Sequence, residues 1–183
     1  MVGALQYLTL TRPDIAYVVN VVSQFMHAHC TTHLQCMKHI FRYLQGTISH
    51  GLFLCASSSN SLVIVYSDVD WAGCPDSRCS TTGFAIFLGS NLISWRAKKQ
   101  PIVSRSSTEA KYRAIAYTVV ETSWIRHVLC EHGLYLRESI RALCDNISST
   151  YMSHNPVFHD RSKHIDVDFH YVRDKVAQGD LVL

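Results

Sequence analysis

No Cys-x-x-Cys pair occurs among the seven cysteines, Cys30, Cys36, Cys55, Cys74, Cys79, Cys130 and Cys144. Zinc knuckles and ribbons need thiolates that close, so those modules are excluded. The cysteine count is odd and no basic-then-apolar leader opens the chain. Free thiols, buried in a reducing intracellular compartment, are expected rather than the disulfide frame of a secreted protein. No apolar stretch reaches the ~20 residues that span a bilayer, so no membrane partner is expected. A strong charge of one sign is also lacking. Lys and Arg number 17, Asp and Glu 14, for a formal net charge of +3 with 11 His in reserve. That balance permits nucleic acid without arguing for it, because a dedicated binding domain carries a sharper basic face.

What is present is enough apolar material for a core. Hydrophobic residues make up 48% and charged residues 17% of 183 positions. At about 150 residues per domain, that length holds one domain and a smaller appendage. The first 46 residues read as helical. Pro13 suits a first helical turn, and Ile15, Val18, Val19, Val22, Phe25 and Met26 recur at helical spacing. Thr32 is a candidate cap for a second helix with Leu34, Met37, Ile40, Phe41 and Leu44 inside, and Gly46 ends it. From Gly51 the pattern turns to strands: Leu62–Tyr66, Gly83–Leu88 and Leu92–Trp95, the last two joined by a Gly89-Ser90-Asn91 turn. Lys98-Lys99-Gln100-Pro101 reads as a basic loop. A helix follows over 107–132, with Ala110, Ala114, Tyr117, Val120, Trp124 and Val128 as its apolar positions and Gly133 as its stop. Ile140–Cys144 is a further strand. A last helix covers about 164–178, with Ile165, Phe169, Val172 and Val176 inside, and Asp180–Leu183 opens another strand. No internal repeat and no long linker interrupts this order.

Two carboxylates, Asp68 and Asp145, stand just past the ends of apolar strands. Such residues can converge at one sheet edge, where hard oxygen ligands bind Mg²⁺. Two ions about 4 Å apart can activate water and stabilise the leaving oxygen in phosphodiester cleavage. Strand-end Asp residues also simply begin turns, and spacing alone does not choose between the two.

The segment YSDVDWAGCPDSRCSTTG (66–83) resembles the opening of the ribonuclease H domain of copia-type retrotransposons. NLISWRAKKQ (91–100), SRSSTEAKYRAIA (104–116), LCDN (143–146) and NPVFHDRSKHIDVDFHYVRDKV (155–176) resemble its later motifs. VGALQYLTLTRPDIAYVVNVVSQFM (2–26) and HIFRYLQGT (39–47) resemble the C-terminal thumb and connection of the adjoining reverse transcriptase. The resemblance runs end to end in family order. It implies a reverse transcriptase remnant over 1–50 and a ribonuclease H-like domain over 51–183, an α/β fold with a mixed sheet flanked by helices. It further implies cleavage of the RNA strand of an RNA–DNA hybrid by four carboxylates and two Mg²⁺ ions. The remainder of the reverse transcriptase is the implied ancestral partner.

Carried over singly, the first carboxylate falls on Asp68 and the third on Asp145. Asp70, two residues on, shares the face of Asp68 if the strand continues, and is ranked as a turn or surface residue. The second carboxylate of the family's S-T-E-A-E-Y helix start falls on 111, ahead of Tyr112-Arg113-Ala114, and residue 111 is Lys. Glu109 remains as a candidate catalytic group, but Ser106-x-x-Glu109 is also a capping box. Residues 109 and 111 lie about 200° apart around a helix, so Glu109 is no simple substitute. A Lys at 111 places positive charge where a metal belongs. The fourth carboxylate lies, in the family, on a helix beyond the position of Leu183. Asp166 and Asp168 read as solvated. His159, His164 and His170 read as surface or hybrid-facing.

Lys98, Lys99, Lys38 and Arg42 are the candidate nucleic-acid contacts, each equally readable as a solvated face. Two functions follow: a hybrid-cleaving domain that is catalytically silent in this chain, or a non-enzymatic nucleic-acid-binding relic or host-adopted binding module.

Overall fold

The computed structural model describes residues 2–56, 62–154 and 165–183. The chain divides into two compact units, Met1–Leu54 with Arg96–Lys98, and Cys55–Trp95 with Lys99–Leu183.

The first unit is helical. It contains α1 (Val2–Leu8), a 3-10 turn at Pro13–Ile15, α2 (Ala16–Ser23) and α3 (Thr31–Gly46). Pro13 sits in the first positions of the turn, where its missing N–H costs nothing. Leu5, Ile15, Val19, Val22 and Ile40 form a small core. Leu34 and Phe41, read as inward-facing, are exposed, because only the Ile40 stripe with Met37 and Leu44 meets the other helices. The cap of α3 is Cys30 rather than Thr32. The Cys30 N–H donates to His33 Nδ1 at 3.2 Å, and the Cys30 side chain bonds back into the first turn. A buried Arg12 guanidinium donates to Asp14 and to the Thr47 carbonyl. That contact, first among several, pulls the Asp14 carboxyl down to about 2.

The second unit is built on a five-stranded mixed sheet, β1 (Val63–Asp70), β2 (Thr81–Leu88), β3 (Asn91–Lys99), β4 (Ile140–Leu143) and β5 (Leu181–Val182), in the order β3-β2-β1-β4-β5. The pair β1–β2 is antiparallel, while β1–β4 and β4–β5 are parallel. α4 (Ser107–Glu131) makes the crossover from β3 to β4, packs on β1 and β2, and meets α6 (Asp166–Ala177). A short helix that the hydrophobic pattern does not signal, α5 (Ile147–His154), follows β4. This is the ribonuclease H-like mixed sheet with flanking helices that the resemblance implies.

Along β1, Val63, Val65, Ser67 and Val69 are buried, and Asp68 and Asp70 share the other face. Val65 and Ile86 of the sheet, Tyr112 and Ile115 of α4 and Phe169 and Val172 of α6 form the centre of the core. Gly133 and Gly179 end their helices with φ of 79° and 74°. That is the left-handed conformation glycine adopts without a Cβ penalty.

Four local expectations change. The first strand runs through Asp68 to Asp70, because pairing with β2 continues through Asp68↔Gly83 and Asp70↔Thr81. Lys98 and Lys99 end strand β3 instead of forming a loop. The buried side of α4 is Tyr112, Ile115, Ala116, Val119 and Ile125, with Ala110 and Ala114, whereas Tyr117, Val120 and Trp124 face solvent. All seven thiols are free, but only Cys79 is buried.

Candidate active site

Parallel pairing of β1 with β4 sets up the site. The register runs Ile64↔Arg141, Val65↔Ala142, Tyr66↔Leu143. Continued by two residues, it places Asp68 opposite Asp145. Like charges this close repel, and a cation between them relieves the repulsion.

Lys111 supplies one. Its ammonium donates directly to Asp145 Oδ1 and lies 3.6 Å from Asp68 Oδ1. The lysine side chain is 15% exposed, against 79% for Asp68 and 66% for Asp145. The bond to Lys111 holds the Asp145 carboxyl below its ordinary range, and the same bond raises the lysine. Burial pushes the adjacent Cys144 thiol up. The carboxylates border an open cavity of about 510 Å³ lined by Tyr66, Phe84, Ala85 and Leu143.

Other acidic candidates are committed elsewhere. Glu109 Oε2 accepts from the Arg105 N–H at 2.9 Å, and Ser106 Oγ accepts from the Glu109 N–H at 3.1 Å. The Ser106 bond is one half of the capping box, while the Glu109 carboxylate reaches past the cap residue Ser106 to the N–H before it. Glu109 Oε1 also pairs with buried Arg113 at 2.8 Å. The Asp70 carboxylate lies over Gly73, where a Cβ would come within 1.9 Å of its Oδ2. Glycine at 73 is what allows that close approach. Asp166 is exposed and pairs with His170 at 3.2 Å. Asp168 is half-buried rather than solvated, and burial raises its carboxyl. His159 and His164 lie outside the described residues.

A buried polar chain fixes the start of α4, and so the position of Lys111. Gln100 Nε2 donates to Thr82 Oγ1 at 2.9 Å and to the Ala110 carbonyl at 3.0 Å. Ser104 Oγ donates to Gln100 Oε1 at 3.1 Å and accepts from Arg113 at 3.0 Å. The sequence holds these residues in motifs, but no spacing rule says they meet. On the other side, Asn146 Oδ1 accepts from the Ser149 N–H at 2.8 Å, capping α5 directly after Asp145.

No known protein-family model matches the chain. The Pol polyprotein of transposon RE1 from Arabidopsis thaliana is 51% identical over 181 residues, covering 99% of this chain and 12% of that protein. The Pol polyprotein of transposon TNT 1-94 from Nicotiana tabacum is 41% identical over 181 residues, 98% of this chain and 13% of that one. The chain belongs to the Pol polyprotein family of copia-type retrotransposons. A ribonuclease H1 isolated from compost is a structural neighbour, with TM-score 0.48 and 14% identity, over 67% of this chain and 81% of that one.

In this Pol-family chain the basic candidates have separate surroundings. Lys38 and Arg42 are exposed on α3, and Lys98 is exposed near the end of β3. Lys99 is partly buried and donates to Cys74 Sγ at 2.9 Å. With help from Ser77, this lowers the Cys74 thiol to about 6. The thiolate is the reactive form, so Cys74 is expected to be alkylated by iodoacetamide ahead of Cys36 and Cys130 near neutral pH. Its rate should fall as pH drops through about 6. Peptide mapping after limited labelling checks this. Lys99→Met should slow Cys74 selectively, and equal labelling of exposed Cys36 and Cys130 would contradict it.

Among the described residues, no group of three or more His, Cys, Asp or Glu side chains is placed to hold a metal ion. Two carboxylates already joined by an ammonium do not fit a two-Mg²⁺ site. A divalent ion there would have to displace Lys111, and the two carboxylates with water would then hold one ion rather than two.

Proposed function

We propose that this chain is a ribonuclease H-like domain preceded by a segment like the C-terminal end of a reverse transcriptase, ancestrally built to cleave RNA in RNA–DNA hybrids with two Mg²⁺ ions, and catalytically silent as it stands. One observation carries the reading: the Lys111 ammonium contacts both Asp68 and Asp145, the two carboxylates read as ancestral metal ligands. Glu109 acts as a helix cap and as the partner of Arg113, and takes no catalytic part.

What remains is electrostatic nucleic-acid binding. Lys38, Arg42 and Lys98 are exposed cations without a base-reading arrangement, so contact is with phosphates. Such binding releases counter-ions and weakens steeply with salt. Hybrid and duplex of equal length should bind with similar weak affinity. For about two or three phosphates neutralised, affinity should fall roughly ten- to fortyfold between 50 and 200 mM salt. Fluorescence anisotropy across a salt series measures this. Salt-independent binding would remove phosphate contact from the account. Mg²⁺-dependent hybrid cleavage by the unmodified chain would remove the claim of catalytic silence.

A further inference from the structure

We infer that Lys111 is the resident cation of this site, so that the domain is stable without divalent ions and acquires a divalent-ion site only when the ammonium is removed. The inference rests on the reading of Asp68 and Asp145 as the ancestral metal carboxylates and extends it from catalysis to folding.

The backbone creates the need. Parallel pairing of β1 with β4 ends at Tyr66↔Leu143, and the acids two residues further on each chain come within reach of one ammonium; a bare pair of carboxylates is self-repelling. Three kinds of group can relieve that: a proton, a metal ion or a cationic side chain. Lys111 is the third kind. It comes from α4, whose first turn is held by the Gln100–Ser104–Arg113 chain of buried hydrogen bonds. The ammonium is delivered to a fixed place, since most of the lysine stem is buried while its tip meets both acids.

The charge balance differs from that of a metal site. Two carboxylates and one ammonium sum to −1, whereas two carboxylates and one divalent ion sum to zero. The residual charge still attracts cations weakly, but the ligand positions nearest both acids are taken. Removing the ammonium leaves −2 at one sheet edge with no compensation, and that is a site for a hard cation held by oxygen ligands and water.

Thermal unfolding in chelator and in millimolar Mg²⁺ or Ca²⁺ tests this on the whole chain. The wild-type midpoint should be the same in both. Lys111→Met should unfold about 2–4 °C lower in chelator, the scale of a partly exposed ion pair in a chain of this size. Divalent ions should restore that loss. Lys111→Arg, which keeps the cation, should behave as wild type. In Asp68→Asn/Lys111→Met the response to divalent ions should disappear. Tb³⁺ luminescence gives a second readout, because Tyr66 lines the same cavity. Excited through tyrosine, it should appear with Lys111→Met at concentrations where wild type gives none.

Wild-type stabilisation by Mg²⁺ that is lost in Asp145→Asn would overturn the inference. So would a Lys111→Met variant that neither loses stability nor responds to any divalent ion. These outcomes are separate from the cleavage assay. A wild-type chain that failed to cleave hybrid yet gained stability from Mg²⁺ would keep the proposed function and sink the resident cation.

Discussion

An RNA–DNA hybrid incubated with the purified chain and Mg²⁺ is expected to be cleaved no faster than in buffer alone. Phosphodiester hydrolysis by metal ions depends on placing water, phosphorus and leaving oxygen to a fraction of an ångström, and on stabilising the charge that develops. Asp68 and Asp145 are the carboxylates proposed for that work, and Lys111 already binds both. Losing one preorganised stabilising group typically costs roughly 10²–10³ in rate. Here a ligand is lost and a positive charge is added at the same point, so the two effects reinforce each other.

Lys111→Glu separates these effects. It removes the competing ammonium and adds a carboxylate between Asp68 and Asp145, so metal binding should improve. Any gain in cleavage should depend on Asp68 and Asp145, since the three carboxylates would hold the ion together. Single-turnover assays with end-labelled RNA would detect either gain. Efficient cleavage by the unmodified chain, abolished by Asp68→Asn, would show that Glu109 or Asp70 serves as the second carboxylate. The Arg113 and Gly73 contacts would then have to break in the active form.

The strand positions of the two acids were legible in the sequence because each follows a short apolar run. Lys111 was legible as a misfit, since a charged residue of the wrong sign falls inside an otherwise regular helix start. The continuation of β1 to Asp70 was not, because Ser67-Asp68-Val69-Asp70 is as polar as a turn. Only pairing with β2 holds it extended. The Gln100–Ser104–Arg113 chain was hidden for a different reason. It joins the end of β3, the following loop and α4, and its partners meet only after the sheet and helix have packed. Helix α5 is short and starts on an Asn146 cap rather than on an apolar period. The burial of Asp168 follows from α6 packing on α4, and no local pattern marks it.

Tyr112→Ala should destabilise the second unit by about 3–5 kcal/mol, whereas Trp124→Ala should cost about 1 kcal/mol or less. The contrast is a test of helix rotation. Read as a sequence, α4 offers two apolar stripes. One runs through Tyr117, Val120 and Trp124, the other through Tyr112, Ile115 and Val119. Large aromatic residues at helical spacing make the first look like the core. In the folded unit Trp124 is 61% exposed and Tyr112 is 0% exposed. The Tyr112 ring stacks on Phe169 of α6 with centroids 6.0 Å apart, and its hydroxyl donates to the Phe169 carbonyl at 3.3 Å. Burial accordingly holds the phenol well above its ordinary range. Tyr112→Phe keeps the ring and removes only the hydroxyl, so it should cost about 1 kcal/mol. The difference between the Phe and Ala variants then isolates the cavity left between α4 and α6. Denaturant unfolding followed by circular dichroism gives all three values. Because Lys111 precedes Tyr112 on the same turn, the Ala variant should also loosen the ammonium from Asp145. A Trp124→Ala loss as large as that of Tyr112→Ala would mean that α4 presents its other stripe to the sheet. Lys111 would then point away from both aspartates.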